Sequence, residues 1–289
     1  VNSFQDGNFT AIGIAEGLSG DVGTAVLEDP AGDRWVGTNN GLTRFTADGR
    51  VVVYGTREGL SSARINALAL GTDGTVWVGT TLGLDRVRNG RVERLPLAPG
   101  VPAQSTTVVL EDREGALWVS TRIGLYRHHQ GVATHIDRVN AGAVLTMALD
   151  RNGDVLVGTR YRGLLRYSGG TFTTLTTEDG LSNNNVSALH QDDDGTLWIG
   201  TIGGGLNRFR QGVVTTVRER DGLLDDTVLS IVDDAEGHLW MGSNRGIWRV
   251  SRQDLGAFTR NESRSVASIS YGHGDGIRSA TVSVGDPTA

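Results

Sequence analysis

The side chains with the most evident chemical potential are arginines and amides collected in short polar runs between apolar ones. Arg160-Tyr161-Arg162 forms one such run, Asn183-Asn184-Asn185 the next, and Asn244-Arg245 a third. Arg64, Arg122 and Arg278 stand in corresponding runs, and Asp225-Asp226 adds carboxylates. A guanidinium offers a planar fork of N–H donors that pairs with carboxylate, phosphate or sulfate, while amides supply donors and acceptors for hydroxyls. The chemistry on offer is recognition of an anionic or hydroxyl-rich ligand, such as an acidic saccharide, rather than bond cleavage. The plainer reading is that connecting loops are polar everywhere.

Other constellations fail on spacing. His128-His129 points to opposite faces of a strand, and His135, His190, His238 and His273 are scattered singly, so no metal site is expected. Asp192-Asp193-Asp194-Gly195 resembles the start of a calcium loop, but with Gly195 in sixth place the twelfth position is Thr201, not a bidentate Glu. Gly203-Gly204-Gly205 opens no helix and so makes no phosphate cradle. No serine sits in a strained elbow with a His and Asp to follow, and no cofactor is expected.

The elements that position these runs are repeats. The segment Asp192-Asp193-Asp194-Gly195-Thr196-Leu197-Trp198-Ile199-Gly200-Thr201, closed by Gly205-Leu206, recurs with Trp35, Trp77, Trp118 and Trp240 at the Trp position and Leu156 between the third and fourth. Successive intervals are 42, 41, 38, 42 and 42 residues, the period of a β-propeller with one four-stranded blade per repeat. In the second repeat, Ile65–Leu70 reads as the inner strand, Thr75–Gly79 as a strand buried on both faces, Leu84–Val87 as the third and Val92–Leu95 as the outer one. Gly32, Gly74, Gly115, Gly153, Gly195 and Gly237 fall where a tight hairpin needs positive φ, and Gly79 with its equivalents leaves room for the adjacent blade. The Trp residues read as wedges between blades.

Glu16-Gly17-Leu18-Ser19 and its copies near Gly59, Gly180, Gly222 and Gly276 link one blade to the next. About a dozen residues are inserted before the last copy, and Ser251 with Asp254 has the spacing that predicts a short helix near 252–259. Aligning the link motifs places Val1 opposite about Thr43, so 1–20 supplies two outer strands, while Ala280–Val284 supplies an inner one. The expectation is a single all-β domain over 1–289: a seven-bladed propeller of four-stranded antiparallel blades. Six repeats are full, about 22–275, and the seventh is incomplete and split between 1–20 and 277–289. In such a fold the loops after the Trp strands and those leading into the inner strands meet at one end, which is where the Arg and Asn runs lie.

Composition bounds the partners. With 27 Lys and Arg against 33 Asp and Glu the net charge is −6, which leaves no basic stripe for nucleic acid or an anionic membrane. The chain has no Cys, so disulfides, thiolate metal sites and a Cys nucleophile are excluded. No run of 18 apolar residues exists, and Val1-Asn2-Ser3-Phe4 does not begin a signal peptide.

With Asp193-Asp194-Gly195-Thr196-Leu197-Trp198-Ile199-Gly200-Thr201 and Gly205-Leu206 as its clearest copy, the chain resembles the two-component regulator propeller family over about 15–285. The copies depart at Leu156 for Trp, Ser120 for Gly, Ser243 for Thr and Ile247 for Leu, which read as tolerated packing changes. The resemblance implies a periplasmic or extracellular sensor of a bacterial signal-transduction receptor. It binds a small molecule or saccharide, or docks on its own signalling output domain or a second copy, and is not an enzyme. Such propellers are often followed by an immunoglobulin-like domain, a membrane span and a histidine kinase or diguanylate cyclase. The alternatives are a lyase or hydrolase similar to streptogramin lyases, which need a His and Glu pair with a metal, and a protein-interaction scaffold.

Overall fold

The strand ends are set by one recurring turn. At Asp192–Thr196 the Gly195 N–H donates to the Asp192 carbonyl at 3.0 Å, and the Asp192 N–H to the Thr196 carbonyl at 2.9 Å. Gly195 has φ +84°, so this is a three-residue hairpin loop ending in a left-handed residue, a place where Gly is favoured. The corresponding Gly in the other five repeats has φ between +74° and +86°.

The computed structural model describes residues 1–5, 8–96, 104–139, 143–234, 236–275 and 277. Strands β1 (Asn2–Gln5) and β2 (Asn8–Ala11) pair with each other. Among the described residues six four-stranded sheets follow, each with its strands in chain order. Blade one is β3 (Gly23–Glu28), β4 (Arg34–Thr38), β5 (Gly41–Phe45) and β6 (Val51–Tyr54). Blade two is β7 (Ile65–Leu70), β8 (Val76–Thr80), β9 (Gly83–Arg88) and β10 (Arg91–Leu95). Blade three is β11 (Thr106–Glu111), β12 (Leu117–Thr121), β13 (Gly124–His129) and β14 (Val132–Ile136). Blade four is β15 (Val144–Leu149), β16 (Val155–Thr159), β17 (Leu164–Ser168) and β18 (Thr171–Leu175). Blade five is β19 (Val186–Gln191), β20 (Leu197–Thr201), β21 (Gly205–Arg210) and β22 (Val213–Val217). Blade six is β23 (Ser230–Asp233), β24 (His238–Ser243), β25 (Gly246–Ser251) and β26 (Ser268–Tyr271), with helix α1 (Arg252–Thr259) inserted before β26. The fold is an all-β propeller of four-stranded antiparallel blades. The inner strand expected at Ala280–Val284, and Arg278 with it, lie outside the described residues.

The chain divides into two compact units, one of Ile12–Met147 with Val1, the other running from Ala148 and including Asn2–Ala11. In the first, Trp35, Tyr54, Leu60 and Ile65 share one apolar cluster between blades one and two, and Ala69, Trp77, Leu84 and Val109 another between blades two and three. The Gly after the Trp strand is required by close approach. A Cβ on Gly37 would come within 2.6 Å of the Ile65 side chain, and one on Gly79 within 2.9 Å of Thr106, each on or leading into the next blade. In the third repeat Ser120 fills this place, buried, with its hydroxyl accepting from Thr107 at 3.1 Å.

In the second unit, Leu156, Leu164, Leu189 and Leu197 join blades four and five, while Trp198, Val228, Met241, Trp248 and Leu255 join blades five and six. Gly200 repeats the close approach, its Cβ position 2.9 Å from Val228. Helix α1 falls at the predicted place, because the Ser251 hydroxyl accepts from the Gln253 and Asp254 N–H groups and Leu255 turns inward, fully buried. Phe4 and Phe9 from β1 and β2 lie on blade six, Phe4 at 4.8 Å from the Trp240 ring and Phe9 at 5.4 Å from Tyr271. No helix among the described residues is long and apolar enough to cross a membrane.

Candidate functional site

The Thr of each Gly-Thr pair is a loop clamp. Thr38, Thr80, Thr121, Thr159 and Thr201 are fully buried at the strand end. Each hydroxyl donates across the loop to the carbonyl of the Gly that opens the next strand or, at Gly163 in blade four, immediately precedes it, over 2.8–3.1 Å. In four of the five the same oxygen accepts a backbone N–H from within the loop, from Asn40, Leu82, Ile123 or Arg162. Side chains at the loop tip are thereby turned outward. Ser243 retains the hydroxyl in blade six and accepts from the Arg245 N–H at 3.0 Å, which explains why that departure is tolerated.

In the second unit the loops carrying the predicted site residues meet. The Gly163 N–H donates to the Asn184 carbonyl at 2.9 Å, which ties the Arg160-Tyr161-Arg162 tip to the segment leading into blade five. That segment is also bound to the tip after β20, where the Ile202 N–H donates to the Asn185 carbonyl at 2.9 Å. Gly205 bonds Asp226 in the same way at 2.7 Å, one blade on. Arg160, Tyr161 and Arg162 are exposed, Tyr161 to 70%.

Two amides of the predicted site, Asn183 and Asn184, are committed to loop shape. Asn184 Oδ1 accepts from the Thr177 N–H at 2.9 Å and Asn183 Oδ1 from the Asn185 N–H at 2.9 Å. Asn185 Oδ1 is buried and has no hydrogen-bond partner among the described residues. Asn244 is exposed, and Arg245 pairs with Glu219 at 3.0 Å, which holds its guanidinium above the usual Arg range. Asp226 Oδ1 accepts from the Glu219 N–H. Arg64 and Arg122 are exposed on the corresponding loops of the first unit.

Asp234, Glu236 and His238 bring ligand-type atoms within 4.8 Å of one another at the hairpin that opens β24. Asp234 is already engaged: Oδ1 accepts from the Glu236 and His238 N–H groups and Oδ2 from the Trp240 indole at 2.7 Å. Burial alone would raise its carboxyl, but these hydrogen bonds hold it below the ordinary Asp range. The cluster stands at the opposite end of β24 from Asn244 and Arg245, and reads as turn wiring.

That wiring recurs and was not legible as such from the sequence. The Asp six residues before each Trp accepts the indole N–H, at 2.9 Å for Asp29 and Trp35, 2.8 Å for Asp112 and Trp118, and 2.7 Å for Asp192 and Trp198. Blade two has Gly71 at that place, and Glu111 of blade three takes the Trp77 indole instead at 2.6 Å. Blade four has the Asp but not the Trp. A pocket of about 690 Å³ lies there, between blades four and five.

The sequence matches the two-component regulator propeller family at residues 59–81, 180–203 and 222–245. No match to a curated protein was found. Among solved structures, the extracellular domain of a hybrid two-component system from B. thetaiotaomicron is 21% identical with a TM-score of 0.55, over 90% of this chain and 36% of that one. This chain therefore spans about a third of that domain's length. Virginiamycin B lyase from Staphylococcus aureus is 15% identical with a TM-score of 0.66, over 86% of this chain and 84% of that one. A streptogramin B lyase is 13% identical at 0.69, over 89% and 85%. Identities this low carry the fold and not the function. The three matched stretches each run from a blade link through the Trp strand, so the two-component regulator propeller match and the four-stranded blade architecture agree.

Proposed function

We propose that this chain is a ligand-sensing or partner-docking propeller of a bacterial signal-transduction receptor, acting on the periplasmic or extracellular side of the cytoplasmic membrane and not itself catalytic. The observation that carries the reading is the joining of the Arg160-Tyr161-Arg162 tip to the Asn183–Asn185 segment through Gly163 and Asn184, in a chain with three stretches that match the two-component regulator propeller family. Exposed guanidinium groups beside an exposed Tyr suit an acidic saccharide or a small anion. The chain's own output domain or a second copy is the macromolecular partner, and a net charge of −6 argues against nucleic acid. In this reading β1 and β2 are the outer strands of a seventh blade, a view supported by Phe4 and Phe9 on Trp240 and Tyr271.

The test is calorimetric titration with oligogalacturonate at low and high salt. Binding by the parent chain, lost in Arg160→Ala/Arg162→Ala with no change in melting temperature, is the expected result. Equal binding by both, or none by either, removes the site. The lyase reading rests on the fold likeness alone, and metal-dependent turnover of virginiamycin B by this chain would favour it.

A further inference from the structure

Blade one shows what the cradle in blade four is shaped to hold. Across β4 and β5, Trp35 stands opposite Arg44, whose guanidinium lies 4.9 Å from the indole centroid while its Nε donates to Asp33 at 2.7 Å. Asp29 Oδ1 accepts from the turn N–H groups of Ala31 and Asp33, and Oδ2 takes the indole N–H. Blade four keeps every polar part. Asp150 Oδ1 accepts from the Asn152 and Asp154 N–H groups at 2.8 and 3.0 Å, and Arg166 Nε donates to Asp154 at 2.8 Å. Arg166 stands opposite Leu156, as Arg44 stands opposite Trp35.

Both rings are replaced. Leu156 holds the Trp35 position, and Leu175, paired with Leu164, holds the position of Tyr54, which pairs with Leu42. The pocket of about 690 Å³ is the result, and that size falls in the range of roughly 300–1,000 Å³ typical of small-molecule sites. Its apolar walls are Leu156, Leu164 and Leu175 of blade four with Leu197 and Phe209 of blade five, Thr173, Thr174 and Gln191 add polar lining, and Arg151 and Gln211 beside it are exposed. Asp150, buried, stands at its polar end, where Arg166 bridges it at 2.8 Å to Asp154 at 2.6 Å.

We propose that this pocket binds a planar aromatic ring of indole size bearing an N–H donor, seated where the indole of blade one lies and donating to Asp150. Arg166 then keeps Asp154, releases Asp150 and covers the ring face as Arg44 covers Trp35, a cation–π arrangement. The polar partner for the ring is in place, and the apolar walls exclude water from its faces.

The test is isothermal titration of the chain with indole, 1-methylindole and N-acetyl-tryptophanamide. Indole binds, and Leu156→Trp, which supplies the ring covalently, weakens binding at least about tenfold, or 1.4 kcal/mol, while raising the melting temperature. Should Leu156→Trp not fold, Leu175→Tyr, which restores the counterpart of Tyr54, provides the same block. 1-Methylindole, which lacks the donor, binds at least about tenfold more weakly than indole. N-acetyl-tryptophanamide binding as tightly as indole assigns the site to a peptide-borne tryptophan, and preference for indole assigns it to a free heterocycle. No binding of indole up to its solubility limit, unchanged binding in both blocked variants, or equal affinity for 1-methylindole overturns the proposal.

Discussion

Blades one and four share a turn, two carboxylates and an arginine, yet differ in what those groups surround. In blade one, Asp29, Asp33 and Arg44 close around Trp35, with the Tyr54 ring stacked at 5.9 Å. In blade four, Asp150 and Asp154 keep the same relations to the turn and Arg166 still pairs with the second carboxylate, but it pairs with Asp150 as well, around two leucines. The polar cradle therefore forms without the ring. Its geometry comes from the hairpin, whose N–H groups need acceptors whether or not an indole is present. Loss of the Trp leaves no stranded carboxylate, because Arg166 turns onto Asp150.

The sharpest way to break that comparison is to remove both apolar side chains in turn. Trp35 is 3% exposed, and Trp35→Ala should cost about 3–5 kcal/mol, since it opens a cavity and strands Asp29 Oδ2. Leu156→Ala enlarges a space that already exists and should cost about 2 kcal/mol, the low end for Leu. Urea midpoints of the two variants measure the difference. Equal losses would mean that the ring in blade one is no more a wedge than Leu156.

A smaller effect separates the carboxylates. Asp29→Ala removes the acceptor of two turn N–H groups and of the Trp35 indole, and should cost on the order of 2 kcal/mol. Asp150→Ala removes two turn bonds and an ion pair to Arg166, which is partly exposed and stays paired with Asp154. It should cost about 1 kcal/mol less, because no indole N–H is left buried and unpaired. A larger loss for Asp150→Ala in the same denaturant series would place the weight of the cradle on Arg166.

The repeat, the strand order, the positive-φ turns and the helix after Ser251 were all legible in the sequence. Each is decided within a few residues of itself, by hydrophobic alternation, by Gly where φ is positive, or by a capping hydroxyl. The Arg and Asn runs other than Arg278, which lies outside the described residues, fall on the loops expected of them for the same reason. Their division of labour was not legible, since only geometry shows that Asn183 and Asn184 hold the loops while Arg160 and Tyr161 face outward. The regular Asp-to-Trp interval of six residues was present and read only as a turn. Glu111 serving Trp77 in place of Gly71 could not be read at all, because it crosses from one blade to the next. Leu156 looked like a tolerated packing change. It borders a pocket because neither Leu156 nor Leu175 fills the space that Trp35 and Tyr54 occupy in blade one.

The same blade-to-blade comparison yields its finest test at the third strand, where one slot holds Thr43 in blade one, Asp85 in blade two and Asn207 in blade five. Each accepts the N–H of the serine in the preceding link: Ser19 to Thr43 at 2.9 Å, Ser61 to Asp85 at 2.7 Å, Ser182 to Asn207 at 2.9 Å. Only Asp85 is ionisable, and it is fully buried with Oδ1 lacking a partner among the described residues. Burial raises its carboxyl above the ordinary Asp range, and the bonds from the Ser61 N–H and hydroxyl offset this only in part. A raised carboxyl binds its proton more tightly in the folded state than in the unfolded chain. Its contribution to stability is complete below the unfolded Asp value, near 3.9, and is lost as pH rises through the folded value. Asp85→Asn should accordingly stabilise the chain by about 1 kcal/mol at neutral pH. The new amide has a partner in prospect, since Asn207 Nδ2 donates to the Ile199 carbonyl at 3.2 Å and the register puts Val78 in the Ile199 position beside Asp85. Melting temperatures of both proteins across pH 4 to 8 check this, with the gap widest at neutral pH and closing toward acid. A gap that is constant with pH, or a variant less stable than the parent at pH 7, would show that Asp85 is stabilised as an anion and that blade two differs from blade five in more than charge.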